Sequence, residues 1–140
     1  MKFREGALYS GPEHALYSTA TDMAKFYQMM LSGGALGQVR ILSPVSVELM
    51  SRVHTGDIKA GWLQGSGFGL TWEVVKDAPG TLSGMSIGCY NHGGAFGTFG
   101  WVDPGREMVG VFLVQHATST FDARDAFIGM ANTSILLPAK

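Results

Sequence analysis

One cysteine, few charges and no long apolar run set the first limits on this 140-residue chain. Cys89 stands alone, so it has no internal disulfide partner and the redox compartment is left open. A thiol in an apolar stretch is expected as a small core residue before it is expected as a nucleophile. Asp, Glu, Lys and Arg together make up 15% of the chain, against roughly 25% in ordinary globular domains. A formal net charge of −1 gives no electrostatic basis for binding nucleic acid or an anionic membrane. No apolar run approaches the roughly 20 residues of a membrane span. The segment Met1-Lys2-Phe3-Arg4-Glu5-Gly6 has no apolar stretch behind its charges, which argues against a secretory signal and leaves localisation undetermined. The histidines His14, His54, His92 and His116 show neither ligand spacing nor neighbouring carboxylate clusters, so no metal site is expected. Gly65-Ser66-Gly67-Phe68-Gly69 lacks the Lys-Ser/Thr of a phosphate loop and does not open a helix, so no nucleotide cofactor is expected either.

What is present is apolar and glycine-rich. Hydrophobic residues reach 46%, and with so few charges this implies surfaces meant to be covered. The 20 glycines are interleaved with aromatics, which indicates turns and close backbone approaches. The length fits one domain or part of one, residues 1–140, with residues 1–16 as an irregular lead-in. Thr19 to Ser32 reads as a helix, with Thr19 and Asp22 as a capping pair, an inner face of Ala20, Met23, Phe26, Tyr27 and Met30, and Gly33-Gly34 as the stop. Ser43-Pro44 opens a second helix, with Val47, Met50 and Val53 on one side. His54 to Gly65 reads as a loop. Alternating Phe68, Leu70, Trp72 and Val74 place one strand over Gly67 to Val75, and Asp77-Ala78-Pro79-Gly80 a turn. Met85, Ile87 and Cys89 alternate as a further strand. Ser119 and Asp122 suggest a cap for a last helix with Ala123, Ala126, Phe127, Met130 and Ala131 on its face, ending before Pro138. The expected class is α+β, an antiparallel β-sheet flanked by helices. The last helix is expected to cover one face of the sheet, leaving the other face and at least one edge bare, a pattern that invites self-association.

The stretch from Tyr90 to Val114 organises the rest. Asn91-His92-Gly93-Gly94 opens it, and two strand-like runs follow, joined by Asp103-Pro104-Gly105-Arg106. Pro at the second turn position and Gly at the third favour a type II turn. Met108 to Val114 is apolar almost throughout, as in a strand buried on both faces. A His and a Gly pair thus stand at the lip of a buried hairpin, a rigid place with room for a ligand. Taken on residue types alone, a structural loop with a hydrogen-bonded His explains the same pattern.

This stretch resembles the third motif region of the serine β-lactamase-like hydrolases, the family of class C β-lactamases, D-alanyl-D-alanine peptidases and related carboxylesterases. The resemblance is carried by His92-Gly93-Gly94-Ala95-Phe96-Gly97-Thr98, Trp101-Val102-Asp103-Pro104 and Val109-Gly110-Val111-Phe112. Upstream, Tyr17-Ser18-Thr19-Ala20-Thr21-Asp22-Met23-Ala24-Lys25-Phe26, Gly33-Gly34, Ile41-Leu42-Ser43-Pro44 and Gly67-Phe68-Gly69-Leu70-Thr71-Trp72-Glu73-Val74 follow in the family's order. It runs from about Ala15 to the C-terminus and implies the C-terminal portion of the β-lactamase/transpeptidase-like fold. The family's nucleophile lies in Ser-x-x-Lys, and no Ser stands three residues before any Lys of this chain. The second motif, Tyr-x-Asn or Tyr-x-Ser, has no convincing match either.

The resemblance implies that Ala95 N–H is one of two oxyanion-hole donors, and that Gly94 shapes the backbone leading to it. His92 takes the place of the family's Lys, and Gly93 that of a hydroxyl residue, which tilts the chemistry from β-lactam towards ester or peptide-like substrates. With Phe96, these residues form the expected catalytic and substrate-binding set for a small ester or amide. The expected role is a segment of a serine hydrolase, inactive alone, and its expected partner is a missing N-terminal half or, as a homo-oligomer, further copies of itself. The alternatives are a non-catalytic, self-associating or partner-completing domain and an independent esterase. The last would use Ser86, in Gly84-Met85-Ser86-Ile87-Gly88, with Asp103 and His116 following in triad order.

Overall fold

The computed structural model describes residues 16–62, 64–77, 84–116 and 122–135. The lead-in up to residue 15, most of the turn expected at Asp77–Gly80 and the cap expected at Ser119 lie outside these residues. Helix α1 spans Ala20–Leu31, and its N-cap Thr19 accepts from the Asp22 N–H as the capping pair requires. Gly33 and Gly34, at φ 65° and 92°, take the chain out of the helix. A two-residue hairpin follows, β1 (Ala35–Leu36) with β2 (Val39–Arg40), which had no alternating pattern to announce it. Helix α2, Pro44–Ser51, starts from Ser43 as N-cap with Pro44 in the first turn.

The sheet is five-stranded and antiparallel, in chain order: β3 (Ser66–Phe68), β4 (Glu73–Val75), β5 (Tyr90–Gly93), β6 (Phe99–Asp103) and β7 (Met108–Phe112). Cross-strand neighbours Val74, Tyr90, Val102 and Val109 lie on one face, packed with Tyr27 and Met30 of α1 and Val47 of α2. Phe99 and Trp101 lie on the other, packed with Cys89, Val75 and Ile128 of helix α3 (Asp122–Thr133). The α+β architecture with flanking helices is therefore present, in three layers. Neither face is bare: α1 covers the one that α3 does not. Of the face expected on α1, Tyr27 and Met30 do turn inward, joined by Met29, while Phe26 stays 41% exposed; that this face packs on the sheet is a long-range contact the periodicity does not show.

Other expectations are corrected. Gly67 to Val75 is a hairpin, not one strand. Gly69 approaches α2 so closely that a Cβ there would lie 2.2 Å from the Met50 carbonyl oxygen, and Leu70 N–H donates to that oxygen at 3.0 Å. The end of α2 thus takes hold of the chain and turns it. Met85 to Cys89 is also not a strand. Met85 and Cys89 are buried, but Ile87 is 64% exposed and the ladder begins only at Tyr90. The β6–β7 turn is not type II, because its left-handed residue is Glu107, at φ 52°, and not Gly105. Asp103 accepts from Arg106 N–H with both its backbone and side-chain oxygens, at 3.2 Å each, which settles the chain in another turn form. Strand β7 is half-buried along its length and forms a sheet edge, and Leu113 and Val114 beyond it are exposed. On α3 the buried residue is Ile128, whereas Met130, expected inward, is 72% exposed.

Candidate functional site

The sheet has a notch beside its central strand. Strand β4 pairs with β5 only through Glu73–Asn91 and Val74–Tyr90. Before Glu73 the chain leaves the sheet in the β3–β4 turn, where Gly69 N–H donates to the Trp72 carbonyl at 2.8 Å. His92 and Gly93 therefore keep their partners on β6, Gly100 and Phe99, and have no ladder partner on the β4 side. The lip foreseen at His92-Gly93 is open because one strand is shorter than its neighbour.

Within the lip, Gly94 N–H donates to the Thr98 carbonyl at 2.8 Å and Gly97 N–H to the Gly94 carbonyl at 3.0 Å. His116 N–H donates to the Phe96 carbonyl at 2.9 Å, tying the far side of the loop down. Among the described residues no acceptor takes the Ala95 N–H, and Ala95 is exposed. His92 is also exposed, with Nδ1 2.7 Å from the Gly93 carbonyl oxygen. A carbonyl only accepts, so Nδ1 carries the proton and Nε2 is the free ring nitrogen, an acceptor when neutral and a donor when protonated. Phe96 is half-buried against the loop. The lip can therefore offer an amide N–H and a titratable nitrogen to a carbonyl or carboxylate group.

Two residues that sequence reasoning passed over border the notch. Trp62, in the segment read as a loop, sets its ring 6.0 Å from that of His92 and 5.5 Å from that of Phe68, nearly perpendicular to both. Glu73, read as one more strand residue, is 2% exposed and accepts from Trp62 N–H and the Ser66 hydroxyl, each at 2.5 Å. The available signal was a carboxylate inside the apolar run Trp72-Glu73-Val74-Val75.

Other candidates fall apart in space. Ser86 precedes a turn and a strand, not a helix, and its N–H donates to Asp103 Oδ2 at 3.0 Å. Asp103 closes one end of β6, whereas His116 is tied to Phe96 beyond the other end. The elbow arrangement is therefore absent at Ser86. Cys89 is fully buried, and burial first, then the charge of Asp103, raises its thiol pKa far above the ordinary range. It is core, as expected of it. Among the described residues no group of three His, Cys, Asp or Glu side chains could hold a metal ion, and no helix is long and apolar enough to cross a membrane.

An antiparallel sheet between helix layers, with an open His-Gly-Gly-Ala run at the end of its central strand, is the architecture of a β-lactamase-like α+β protein. The comparisons agree: the Beta-lactamase family matches residues 2–134, and the chain belongs to that family. An uncharacterized protein of Mycobacterium tuberculosis is 34% identical over 136 residues, covering 89% of this chain and 34% of its own length. A protein of Escherichia coli named "Putative D-alanyl-D-alanine carboxypeptidase" is 33% identical over 103 residues, 70% of this chain and 21% of its own. Among solved structures, EstCE1, a hydrolase with promiscuous acyltransferase activity, superposes with a TM-score of 0.67 at 26% identity, over 81% of this chain and 29% of its own. A penicillin-binding protein homolog from Caulobacter crescentus gives 0.64 at 19% identity, over 84% and 32%, and bears on the fold alone. The chain thus spans about a third of the length of the Mycobacterium relative.

Proposed function

We propose that this chain is the C-terminal portion, within a single domain, of a serine hydrolase site of esterase or peptidase type. It supplies Ala95 N–H to the oxyanion and His92 to the substrate's polar group or the proton relay, while the Ser-x-x-Lys nucleophile comes from sequence outside the chain. The observation that carries this reading is the open lip, where Ala95 N–H has no acceptor among the described residues beside an exposed His92. The lack of Ser-x-x-Lys and the one-third coverage of relatives support the division of labour. So do the exposed side chains Val39, Ile41, Val45 and Ile58, each more than 60% accessible, which make sense on a surface that more protein covers. In the completed site Ser attacks the carbonyl carbon, the oxygen takes the negative charge against two N–H donors, and the acyl-enzyme is released by water. Gly93 brings no hydroxyl, which favours esters and peptide-like amides over β-lactams.

Two experiments test it. Intact mass after incubation with a fluorophosphonate should show no adduct on the isolated chain; a stoichiometric adduct on Ser86 would overturn the reading. Co-expression with the preceding two-thirds of the Mycobacterium relative should yield ester hydrolysis. In that assembly Ala95→Pro, which deletes the N–H, should lower kcat about 100-fold or more. A second reading, self-association, has its own observation in β7, which has no strand partner on its outer side among the described residues, with exposed Leu113 and Val114. Light scattering decides it: a monomer at high micromolar concentration removes it.

A further inference from the structure

Trp62 is 72% exposed, yet its position is fixed from behind. Its backbone N–H donates to Glu73 Oε1 at 2.5 Å, and the Ser66 hydroxyl donates to the same oxygen at 2.5 Å. Glu73 itself is 2% exposed. Burying a carboxylate is costly unless hydrogen bonds compensate it, and these two donors are Trp62 and Ser66. The buried acid therefore fixes the positions of Trp62 and Ser66. Gly61 repeats the point. At φ 104°, a Cβ there would fall 2.3 Å from Ser66 Oγ and 2.6 Å from Glu73 Oε1, so the backbone passes the carboxylate where only glycine fits.

Trp62, so fixed, faces the notch. Glu73 is the residue at which β4 stops beside β5, one position before His92 in the ladder. The Trp62 ring meets the His92 ring at 78° and the Phe68 ring at 76°, forming a three-ring corner with most of the indole left open. A separate concavity of about 440 Å³ lies on the side of Trp62 lined by Lys59, Gly61, Gln64 and Ser66 and includes no residue of the lip, so the ring contacts alone join the wall to the lip. A large apolar ring held in place before a ligand arrives loses little freedom on binding, which is where an aromatic contact yields most.

We propose that Trp62 is the wall of the His92 site that takes an aromatic or similarly bulky apolar group of the carbonyl substrate, with Glu73 as the positioning residue that sets the wall. This rests on the reading of His92 and Ala95 as the substrate-facing lip. A phenyl-sized group beside the scissile carbonyl covers the open indole, whereas a methyl group leaves it in water. The site thus prefers esters or amides with an aromatic or large hydrocarbon substituent.

The test uses the chain as it stands, which does not turn the probes over. Methyl phenylacetate and methyl acetate are titrated separately, and the NMR signals of the Trp62 indole N–H, the Ala95 amide and the His92 ring are followed. The aromatic ester should move all three, with at least tenfold tighter apparent binding than methyl acetate. Trp62→Ala should erase that preference and Trp62→Phe should restore most of it. Glu73→Gln should lower the preference several-fold while the indole signals of Trp72 and Trp101 stay in place, which separates positioning from unfolding. If His92 and Ala95 respond equally to both esters, with or without Trp62, the proposal fails and the lip reading stands. If neither ester moves His92 or Ala95, the lip reading fails and the proposal falls with it.

Discussion

Two buried carboxylates sit on this sheet, Asp103 at 0% and Glu73 at 2% exposure, and they organise opposite ends of it. Asp103 closes β6 and is served by near neighbours: Arg106 N–H at 3.2 Å, Ser86 N–H at 3.0 Å and the Arg106 guanidinium at 3.5 Å. Arg106 in turn reaches the Gly84 carbonyl and Asn132 of α3, so the corner binds sheet, preceding loop and helix into one piece. Glu73 opens β4 and holds Trp62 and Ser66, and the Trp62 ring stands beside His92. One acid ties helix to sheet; the other ties down the margin of the proposed site. Burial alone does not tell the two apart, whereas the destination of the donors does.

The contrast is sharpest in stability. Asp103→Ala leaves Arg106, Ser86 N–H and Arg106 N–H short of an acceptor and should cost about 3 kcal/mol, read as a shift of the urea midpoint. Glu73→Gln keeps an oxygen for Trp62 N–H and the Ser66 hydroxyl and should cost about 1 kcal/mol, with the larger effect on ester discrimination. A loss for Glu73→Gln equal to that for Asp103→Ala would break the distinction. The Asp103 corner also has a pH signature through its neighbours. Burial raises the thiol pKa of Cys89 and pushes the Tyr90 phenol up to about 12. Both groups are held protonated in the fold, so their contribution is complete below the unfolded thiol value of about 8.5 and is lost as the pH rises beyond it. Urea midpoints should therefore be unaffected by these groups up to pH 8 and fall above pH 9, with Tyr90 adding its share above about 10. Native Cys89 should resist iodoacetamide at pH 8 until the chain unfolds; rapid alkylation under native conditions would contradict its burial. The smallest stability effect belongs to Trp62→Ala, under about 0.5 kcal/mol for an exposed side chain.

The same contrast explains what could be read from the residues. The capping pair Thr19–Asp22, the Ser43-Pro44 helix start and the paired runs around Asp103 are local signals, and they placed α1, α2 and the β6–β7 hairpin, whereas β5, read as a polar knot after a strand at Met85–Cys89, was not placed. The His92-Gly93-Gly94-Ala95 run stood out as a candidate because its parts, too, are adjacent in the chain. The β3–β4 hairpin was not legible, because the Met50 carbonyl that turns it lies about 20 residues away in sequence. Trp62 and Glu73 were missed on like grounds. Each is ordinary where it stands, and their partnership spans 11 positions with a strand and a turn between them. The alternating Met85, Ile87 and Cys89 misled because Asp103, from another strand, holds Ser86 in a turn that the alternation alone does not show.

The short β4 has a dynamic consequence. Tyr90 and Asn91 are locked between strands on both sides, while His92 and Gly93 are held from one side only. Local opening at the lip thus breaks fewer contacts than opening at the adjacent pair and needs no global unfolding. Amide hydrogen exchange should change sharply between Asn91 and Gly94, a border between a slow and a fast zone within a few residues. The lip can then yield to an arriving ligand while the strand that carries it stays shut.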